Sequence, residues 1–284
     1  IPHNSPSTMS FLEKFKSGAK KASIQATAFA QNSGQKLASG SRELAQGFSL
    51  PGEAEKAAKI LDSFLADPER PESALNSIPK AVLQQARGLA IFQVLKAGFV
   101  FSGKAGSGIV IARLPDGSWS APSCIATGGL GWGLQIGADL TDFVIVLRNE
   151  EAVRALSQGG NVTIGGNVSA AAGPIGTGGS IESAIASTPT PMFSYSKSKG
   201  LFAGLSLEGT VLIERKDANR DFYGSAVPAR DILGGRVPPP EVASRLYEII
   251  EAAEGLDESG LPQEAYVPNA EGGHDHLVFD ANGH

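Results

Sequence analysis

A basic amphipathic pattern occupies the start of the chain. Over residues 10–33 the apolar positions recur at helical spacing, with few residues that would break a helix. Lysines lie opposite the apolar stripe or flank it. The stripe consists of Phe11, Phe15, Ala22 and Phe29, and the lysines are Lys14, Lys16, Lys20 and Lys21. The pattern predicts a helix that can face an apolar phase and an anionic surface together.

Later segments with helical spacing are typical of core-facing helices. After a glycine- and serine-rich connection, a helix is predicted to begin at Pro51 and to end at Asp67-Pro68. Shorter helices are predicted over 79–86 and 149–158, the latter capped by Asn149. The last helix is predicted over Pro238–Glu254. Its expected buried stripe is Val242, Leu246, Ile249 and Ile250.

Short β-branched and aromatic runs cut by glycine fill the middle of the chain. Pro115-Asp116-Gly117 predicts a hairpin turn. The predicted strands are 89–95, 97–103, 108–114, 119–127, 131–137, 142–148, 161–170, 192–198, 201–207 and 209–215. Because successive strands are joined by tight turns, the expected fold is α+β, with a glycine-rich, strongly twisted antiparallel or barrel-like sheet flanked by N- and C-terminal helices.

The same patterns divide the chain into four parts. Residues 1–8 precede Met9 and are interpreted as an expression scar. Residues 9–50 form the basic N-terminal segment, and 51–255 form the core domain. Residues 256–284 are polar and acidic, and a disordered tail is expected there.

Composition narrows the cellular setting. With one cysteine, Cys124, the chain can form no internal disulfide, which favours a reducing compartment and a cytoplasmic location. No run approaches the roughly 18 apolar residues of a transmembrane helix, so any membrane contact is expected to be peripheral.

Charge is distributed unevenly. Residues 1–50 carry six Lys or Arg against two Glu, a balance of +4. Residues 241–284 carry ten acidic side chains against Arg245, a balance of −9. This asymmetry predicts an anionic partner for the head of the chain, or a tail that masks it.

Residues for known catalytic constellations are missing from the predicted core. The four histidines, His3, His274, His276 and His284, lie in segments expected to be disordered, so Cys124 has no positioned base. His274-Asp275-His276 could bind a metal ion, although two imidazoles on a mobile acidic tail need have no function. We therefore expect no enzymatic activity and no required cofactor.

The glycine run Gly128-Gly129-Leu130-Gly131-Trp132-Gly133 allows two interpretations. It could cradle a phosphate, but no Gly-x-x-x-x-Gly-Lys-Ser/Thr loop is present. Gly129, Gly131 and Gly133 alternate at period two. A strand with one glycine face lets another backbone or a ring lie against it, so close packing is the favoured interpretation.

A second basic site is predicted on the strand Ser194–Gly200. In strict alternation Lys197 and Lys199 share one face with Tyr195, and three serines share the other. Such a face can receive a lipid phosphate or an acidic patch on actin. Plain solvent exposure of both lysines is the alternative.

A third candidate site is Asp217-Ala218-Asn219-Arg220-Asp221. Asp217, Asn219 and Asp221 supply oxygens at i, i+2 and i+4, as the start of a calcium loop does. Phe222 and Pro228 stand where an EF-hand needs glycine and glutamate, so the hypothesis is a calcium site of another kind. A turn stabilised by side-chain hydrogen bonds is the alternative.

Ordered motifs over residues 45–255 resemble the SYLF domain family. The first half matches at Ala86-Arg87-Gly88-Leu89-Ala90-Ile91, Lys96-Ala97-Gly98-Phe99, Gly106-Ser107-Gly108-Ile109-Val110 and Trp119-Ser120-Ala121-Pro122. The second half matches at Ala172-Gly173-Pro174-Ile175-Gly176, Tyr195-Ser196-Lys197-Ser198-Lys199-Gly200-Leu201-Phe202-Ala203-Gly204 and Asn219-Arg220-Asp221-Phe222-Tyr223-Gly224.

The resemblance implies membrane and cytoskeletal work. Family members bind phosphoinositides through a basic amphipathic N-terminal helix, which maps onto Phe11 to Phe29 here, and fungal members bind and bundle actin filaments at endocytic sites. Many carry a Src-homology-3 domain, which we do not find in these residues. The main hypothesis is therefore an adaptor for phosphoinositide membranes and actin filaments at endocytic or cortical actin sites, with no nucleic-acid partner. A calcium-binding module and a lipid carrier are the alternatives.

Overall fold

The structure of the protein is a computed structural model. It describes residues 49–67, 69–158, 162–164, 169–177, 180–203, 210–256, 259, 261, 265–266 and 278–280. The chain divides into two compact units, Ile1–Gly47 and Phe48–His284, and all described residues belong to the second. The predicted helix over residues 10–33 lies outside the described residues.

A long antiparallel hairpin forms the centre of the second unit. β1 covers Gly88–Ala112 and β2 covers Ser123–Leu147, each 25 residues long. They pair from Gly88 opposite Leu147 to Val110 opposite Ser123. The predicted turn is confirmed: Gly117 has a φ of +88°, a left-handed conformation that favours glycine.

The six strands predicted over residues 89–148 were wrong as separate elements, because the glycines bend two continuous strands instead of ending them. A register shift between Phe99 and Phe101 marks a bulge in β1. Beyond it the strand packs closely on its own first half, where a Cβ at Gly108 would lie 2.1 Å from the carbonyl oxygen of Ile91. This close backbone approach is at Gly108 and not at Gly129 of the predicted run, where a Cβ would meet only the flexible side chain of Lys104.

Most of the other strands extend this sheet from the side of β2 that does not pair with β1. The remaining strands are β3 (Val162–Ile164), β4 (Ala171–Ala172), β5 (Ile175–Gly176), β6 (Met192–Ala203), β7 (Thr210–Glu214), β8 (Ala265–Tyr266) and β9 (Val278–Asp280). β6 and β7 pair antiparallel with β2, and β3 pairs with β7. β4 and β9 pair parallel with β6, whereas β5 and β8 form a separate two-stranded sheet.

The predicted α+β class is therefore confirmed, since the described strands include a mostly antiparallel sheet of seven. The sheet that these described strands form is open, so the barrel-like alternative was wrong. The predicted strand 161–170 is confined to β3 among the described residues, and 192–198 with the start of 201–207 forms the single strand β6. Two short strands, β8 and β9, lie in the segment for which no structure was predicted.

Helices cover the sheet. They are α1 (Leu50–Ser63), α2 (Lys80–Gln84), α3 (Glu150–Ser157), α4 (Ser180–Ser187), α5 (Lys216–Tyr223), α6 (Ala229–Leu233) and α7 (Ser244–Glu254), with 3₁₀ turns at Pro71–Asn76 and Glu241–Ala243. The predictions of α1, α2, α3 and α7 are confirmed. The cap of α3 is confirmed too, because the backbone N–H of Ala152 donates to Asn149 at 2.8 Å. The short helices α4, α5 and α6 were missed.

Strand alternation creates a core on each face of the sheet. One core joins Ile91, Ile109 and Val144 to the apolar side of α1 and α7. The other joins Phe92, Ile145 and neighbouring side chains to α3 and α6. Of the stripe predicted for the last helix, Leu246 and Ile250 are buried, but Val242 is 40% exposed because it lies in the 3₁₀ turn before α7.

Candidate functional site

The strand β6 carries the second predicted basic site. Tyr195 is buried, and its hydroxyl donates to the carbonyl oxygen of Pro174 at 3.0 Å. Burial raises the pKa of Tyr195. Tyr195 therefore attaches the β4–β5 segment to the sheet and offers no group to a ligand.

Lys197 is partly buried and engaged within the domain. Its Nζ donates to the carbonyl oxygen of Ser63 and lies 4.9 Å from the ring centroid of Phe64. Ser63 is the last residue of α1, so this cation meets a helix C-terminus, where carbonyl groups favour positive charge. Lys197 thus connects β6 to the end of α1.

Only the backbone of Lys199 is described, opposite Leu140 of β2. The expected face shared by Tyr195 and Lys197 exists, and α1 packs on it at both residues. The basic surface of Lys197 and Lys199 stays a prediction, which now depends on Lys199.

Acidic and hydroxyl side chains occupy the neighbouring register positions. Asp142 is buried, lies opposite Lys197 in register and accepts a hydrogen bond from Gln93 Nε2 at 2.6 Å. Asp139 accepts hydrogen bonds from the hydroxyls of Ser198 and Thr141. Lys197 therefore lies opposite a carboxylate, Asp142, that the sequence pattern did not place there, whereas Asp139 lies on the serine face of β6.

The predicted calcium ligands lie on helix α5. Residues spaced i, i+2, i+4 alternate between opposite sides of a helix, so Asn219 points away from Asp217 and Asp221. Asn219 is buried, accepts a hydrogen bond from the backbone N–H of Cys124 at 2.8 Å and donates to Ser123 Oγ at 3.0 Å. Its amide thus holds the first residues of β2.

The two carboxylates of this motif pair with arginines. Asp217 accepts from Arg215, and this hydrogen bond holds the pKa of Asp217 below its ordinary value. Asp221 pairs with Arg220 at 3.2 Å. Within the part of the chain that the structure describes, no group of three His, Cys, Asp or Glu side chains could hold a metal ion. The calcium site stays a prediction, which calorimetry of an Asp217→Ala variant tests.

Cys124 is a buried thiol in β2. Burial raises its pKa from 9.0 to about 12, and the negative charge of Glu53 adds to this shift. A thiolate is the nucleophilic form, so this environment suppresses reactivity. The four histidines lie outside the described residues.

Arg148 is a structural centre that the sequence analysis missed. Its guanidinium donates to the carbonyl oxygens of Ile185 at 2.5 Å and Thr190 at 2.8 Å. It also lies 4.3 Å from the ring centroid of Phe193. Burial lowers its pKa. A single arginine after an apolar strand gives no sequence signal of such contacts.

A cavity of about 180 Å³ lies between the C-terminal end of α1 and α7. Leu65, Ile78 and Ile249 contribute to its wall, and Asp62 and Lys80 lie at its margin. Sites for small molecules usually begin at roughly 300 Å³. This cavity gives no support to the lipid-carrier alternative. A wider and more open cavity of about 580 Å³ has Arg148, Asn149 and Glu182 in its wall, and such polar groups do not suit an acyl chain.

The predicted lipid-binding residues, Phe11, Lys14, Phe15, Lys16, Lys20, Lys21 and Phe29, all lie outside the described residues. No helix in the described ranges is both long and apolar enough to cross a bilayer. The membrane hypothesis therefore still rests on the sequence.

Comparison with known proteins gives a consistent family assignment. A model of the Ysc84 family, described as "Las17-binding protein actin regulator", matches residues 128–253. The chain is 52% identical over 207 residues to protein YSC84 of Saccharomyces cerevisiae, covering 72% of this chain and 44% of that protein. It is 51% identical over 205 residues to LAS seventeen-binding protein 3 of the same yeast, with the same coverage of 72% and 44%.

A human protein is similar to the same extent. The SH3 domain-containing YSC84-like protein 1 of Homo sapiens is 50% identical over 204 residues, covering 72% of this chain and 59% of that protein. The chain thus spans about half the length of the curated relatives it matches. No solved structure matches the chain. Because half of all residues are identical over more than 200 positions, the chain belongs to the Ysc84 family of SYLF-domain proteins.

Proposed function

We propose that this chain is a non-enzymatic adaptor that binds actin filaments and phosphoinositide-containing membranes, and that it acts in endocytosis or in cortical actin organisation. The observation that carries the proposal is the family match. The family is described as an actin regulator, one similar protein is named for binding Las17, and another is named Ysc84. An actin-related adaptor role is the part with the most direct support.

The described side chains favour binding over catalysis. Cys124, the one thiol in the chain, is buried with a pKa of about 12. The polar groups Asn219 and Lys197 are engaged in contacts that hold the fold. The Cys124 thiol is therefore not an activated nucleophile, and we assign the function of this domain to surfaces that bind partners.

The membrane part of the proposal comes from residues 10–33. Each lysine near an anionic bilayer contributes on the order of 1 kcal/mol, so four lysines contribute about 4 kcal/mol. This free energy is comparable to the marginal membrane binding that one apolar anchor gives, and stable attachment needs two independent membrane contacts. The phenylalanine stripe and the lysines of this segment supply these two contacts.

Liposome flotation tests the membrane part. A variant with Lys14, Lys16, Lys20 and Lys21 changed to Glu is expected to lose binding to phosphoinositide vesicles. The matched control changes four exposed basic residues of the core, Lys59, Lys216, Arg220 and Arg230, and thus alters the net charge equally. Equal loss in both variants would mean that net charge alone, and not this helix, determines binding.

Actin co-sedimentation tests the second surface. Lys199→Glu is expected to lower filament binding at least fivefold, while Lys216→Glu on α5 leaves it unchanged. Lys197→Glu is a poor probe, because it would place a carboxylate at the C-terminus of α1 and destabilise the fold. Full retention of filament binding by Lys199→Glu would exclude this surface.

A further inference from the structure

A connection of four residues, Thr188-Pro189-Thr190-Pro191, joins α4 to β6. α4 ends at Ser187 and β6 begins at Met192, and no helix or strand includes the residues between them. A residue that precedes proline is disfavoured in the helical region and prefers an extended backbone. Because each threonine precedes a proline, the connection is an extended segment that carries two hydroxyl groups.

The connection lines an open cavity of about 580 Å³. Pro189 is exposed, and both threonines are partly exposed. The hydroxyl of Thr188 donates to the carbonyl oxygen of Ala184 at 2.9 Å, and that of Thr190 donates to the carbonyl oxygen of Met192 at 3.2 Å. A water molecule takes about 30 Å³ of the liquid, so the cavity has room for a phosphate group beside the connection.

Arg148 lies in the wall of the same cavity, and its contacts are to neutral groups. Its guanidinium donates to the carbonyl oxygens of Ile185, Thr188 and Thr190, and it lies 4.3 Å from the ring centroid of Phe193. None of the ion pairs between residues that the structure describes includes Arg148. A partly buried cation without a counter-ion favours an anion beside it.

Two N–H groups of this guanidinium are available for such an anion. A guanidinium has five N–H donors, and the three carbonyl oxygens accept two from Nη1 and one from Nη2. No described residue accepts from the other two. Nη1 lies 2.8 Å from the carbonyl oxygen of Thr190, so a phosphate on Oγ1 of the same residue is within reach of the guanidinium.

The other charged groups in the cavity wall are the carboxylates of Glu151 and Glu182, and both residues are exposed. Water and salt screen the repulsion between exposed charges. Hydrogen bonds from arginine to phosphate are roughly twice as strong as neutral ones. Arg148 therefore outweighs these carboxylates for a phosphate on the connection.

The two threonines differ in their relation to α4. A phosphate on Thr188 would remove the donor to Ala184 and place negative charge at the C-terminus of α4, where carbonyl groups favour positive charge. Thr190 lies farther from the helix end and avoids this cost. Thr190 is therefore the favoured acceptor.

We propose that Thr190 is a phosphorylation site for a kinase that selects threonine followed by proline, and that Arg148 binds the phosphate. In the reaction the bond between the β–γ bridging oxygen and the γ-phosphorus of ATP breaks, and Oγ1 forms a bond to this phosphorus. ADP leaves with the bridging oxygen, and the hydroxyl proton passes to the catalytic base of the kinase. This site is independent of membrane and actin binding, since its test measures neither.

Mass spectrometry after incubation with a proline-directed kinase and ATP tests the acceptor. The full chain carries Ser5→Ala, which leaves Thr188 and Thr190 as the two hydroxyl residues followed by proline. We expect one phosphate per chain, on Thr190, added at least tenfold faster than on Thr188. Thr190→Val should abolish this incorporation, and the matched variant Thr188→Val should leave it unchanged.

Phosphorus NMR tests the role of Arg148. An adjacent guanidinium favours the dianion, so the phosphate is expected to titrate about one pH unit lower in the folded chain than in a phosphopeptide of residues 184–196. Arg148→Gln should remove this difference, and Arg154→Gln on α3 is the matched control that keeps it. The comparison with the peptide needs no substitution, so it decides the question even where Arg148→Gln does not fold.

Undiminished incorporation in Thr190→Val, or incorporation that occurs only after the chain is unfolded in urea, would overturn Thr190 as the acceptor. Titration of the phosphate at the same pH in chain and peptide would overturn the role of Arg148.

Discussion

At the residue scale, Gly173 and Tyr195 form a matched pair. A Cβ at Gly173 would lie 2.1 Å from both Cζ and Oη of Tyr195, inside the volume of the buried ring. The ring cannot move aside, because its hydroxyl is tied to the carbonyl oxygen of Pro174 at 3.0 Å. Gly173 is therefore required for packing and not for a turn.

This contact predicts that Gly173→Ala destabilises the domain by about 3 kcal/mol, the upper part of the range for overpacking. Urea denaturation measures the change in the free energy of unfolding. Gly103→Ala is the control, since nothing lies within 4 Å of a Cβ there. Equal effects of the two substitutions would contradict the close contact.

The buried thiol of Cys124 predicts a pH dependence. Its folded pKa of about 12 exceeds the ordinary 9.0, so the unfolded chain loses this proton first as pH rises. The stabilising contribution is thus complete below about pH 9 and is lost between pH 9 and 12. The slope is about 1.4 kcal/mol per pH unit for one proton.

Urea denaturation between pH 8 and pH 11 tests this sign. The unaltered chain should lose stability more steeply above pH 9 than the Cys124→Ala variant, and tyrosine ionisation affects both chains alike. Identical pH profiles would show that Cys124 does not titrate in this way.

At the element scale, α1 is held at both ends by charged side chains. Near its start the buried Glu53 accepts a hydrogen bond from Ser107 Oγ at 2.6 Å and pairs with Lys56 at 2.6 Å. At its end Ser63 accepts from Lys197 of β6. The helix therefore bridges β1 and β6, which lie on opposite sides of β2.

Glu53→Ala is expected to destabilise the domain by about 2 kcal/mol, because it leaves the buried Ser107 hydroxyl without its acceptor. Glu55→Ala is the matched control on the same helix. The side chain of Glu55 is 46% exposed and pairs with Lys59 at 3.2 Å and Arg245 at 2.8 Å, contacts worth less than about 1 kcal/mol each. Thermal or urea unfolding that ranked the two variants equally would contradict this role of Glu53.

At the scale of the whole molecule, the chain divides after Gly47. The unit that follows has its own two cores, one on each face of the sheet. The segment proposed to bind membranes, residues 10–33, and the two cores therefore belong to different units of the chain.

A chain that begins at Phe48 is expected to keep the urea midpoint of the full chain and to lose binding to phosphoinositide vesicles. Far-UV circular dichroism and flotation measure the two properties on one preparation. A large fall in the midpoint would show that residues 1–47 stabilise the core. Retained flotation would place the membrane site in the core.

Local patterns predicted the parts of this fold that depend on nearby residues. The α+β class, the turn at Gly117, the cap at Asn149 and four helices follow from periodicity and capping, which act over a few residues. The ordered motifs of residues 86–224 were also sufficient to indicate the family. These features are fixed by backbone conformation and by the spacing of apolar side chains.

Long-range packing decided the rest. Glycine is locally typical of a strand end, but within the 25-residue strand β1 it permits the close approach of Gly108 to Ile91. The polar run around Asn219 is typical of a loop, but the side-chain amide of Asn219 contacts β2, more than 90 residues away in sequence. The sequence around Lys197 indicates an exposed cation, but its Nζ contacts the C-terminal end of α1. In each case the partner is distant along the chain, so only the tertiary structure supplies the contact that gives the residue its role.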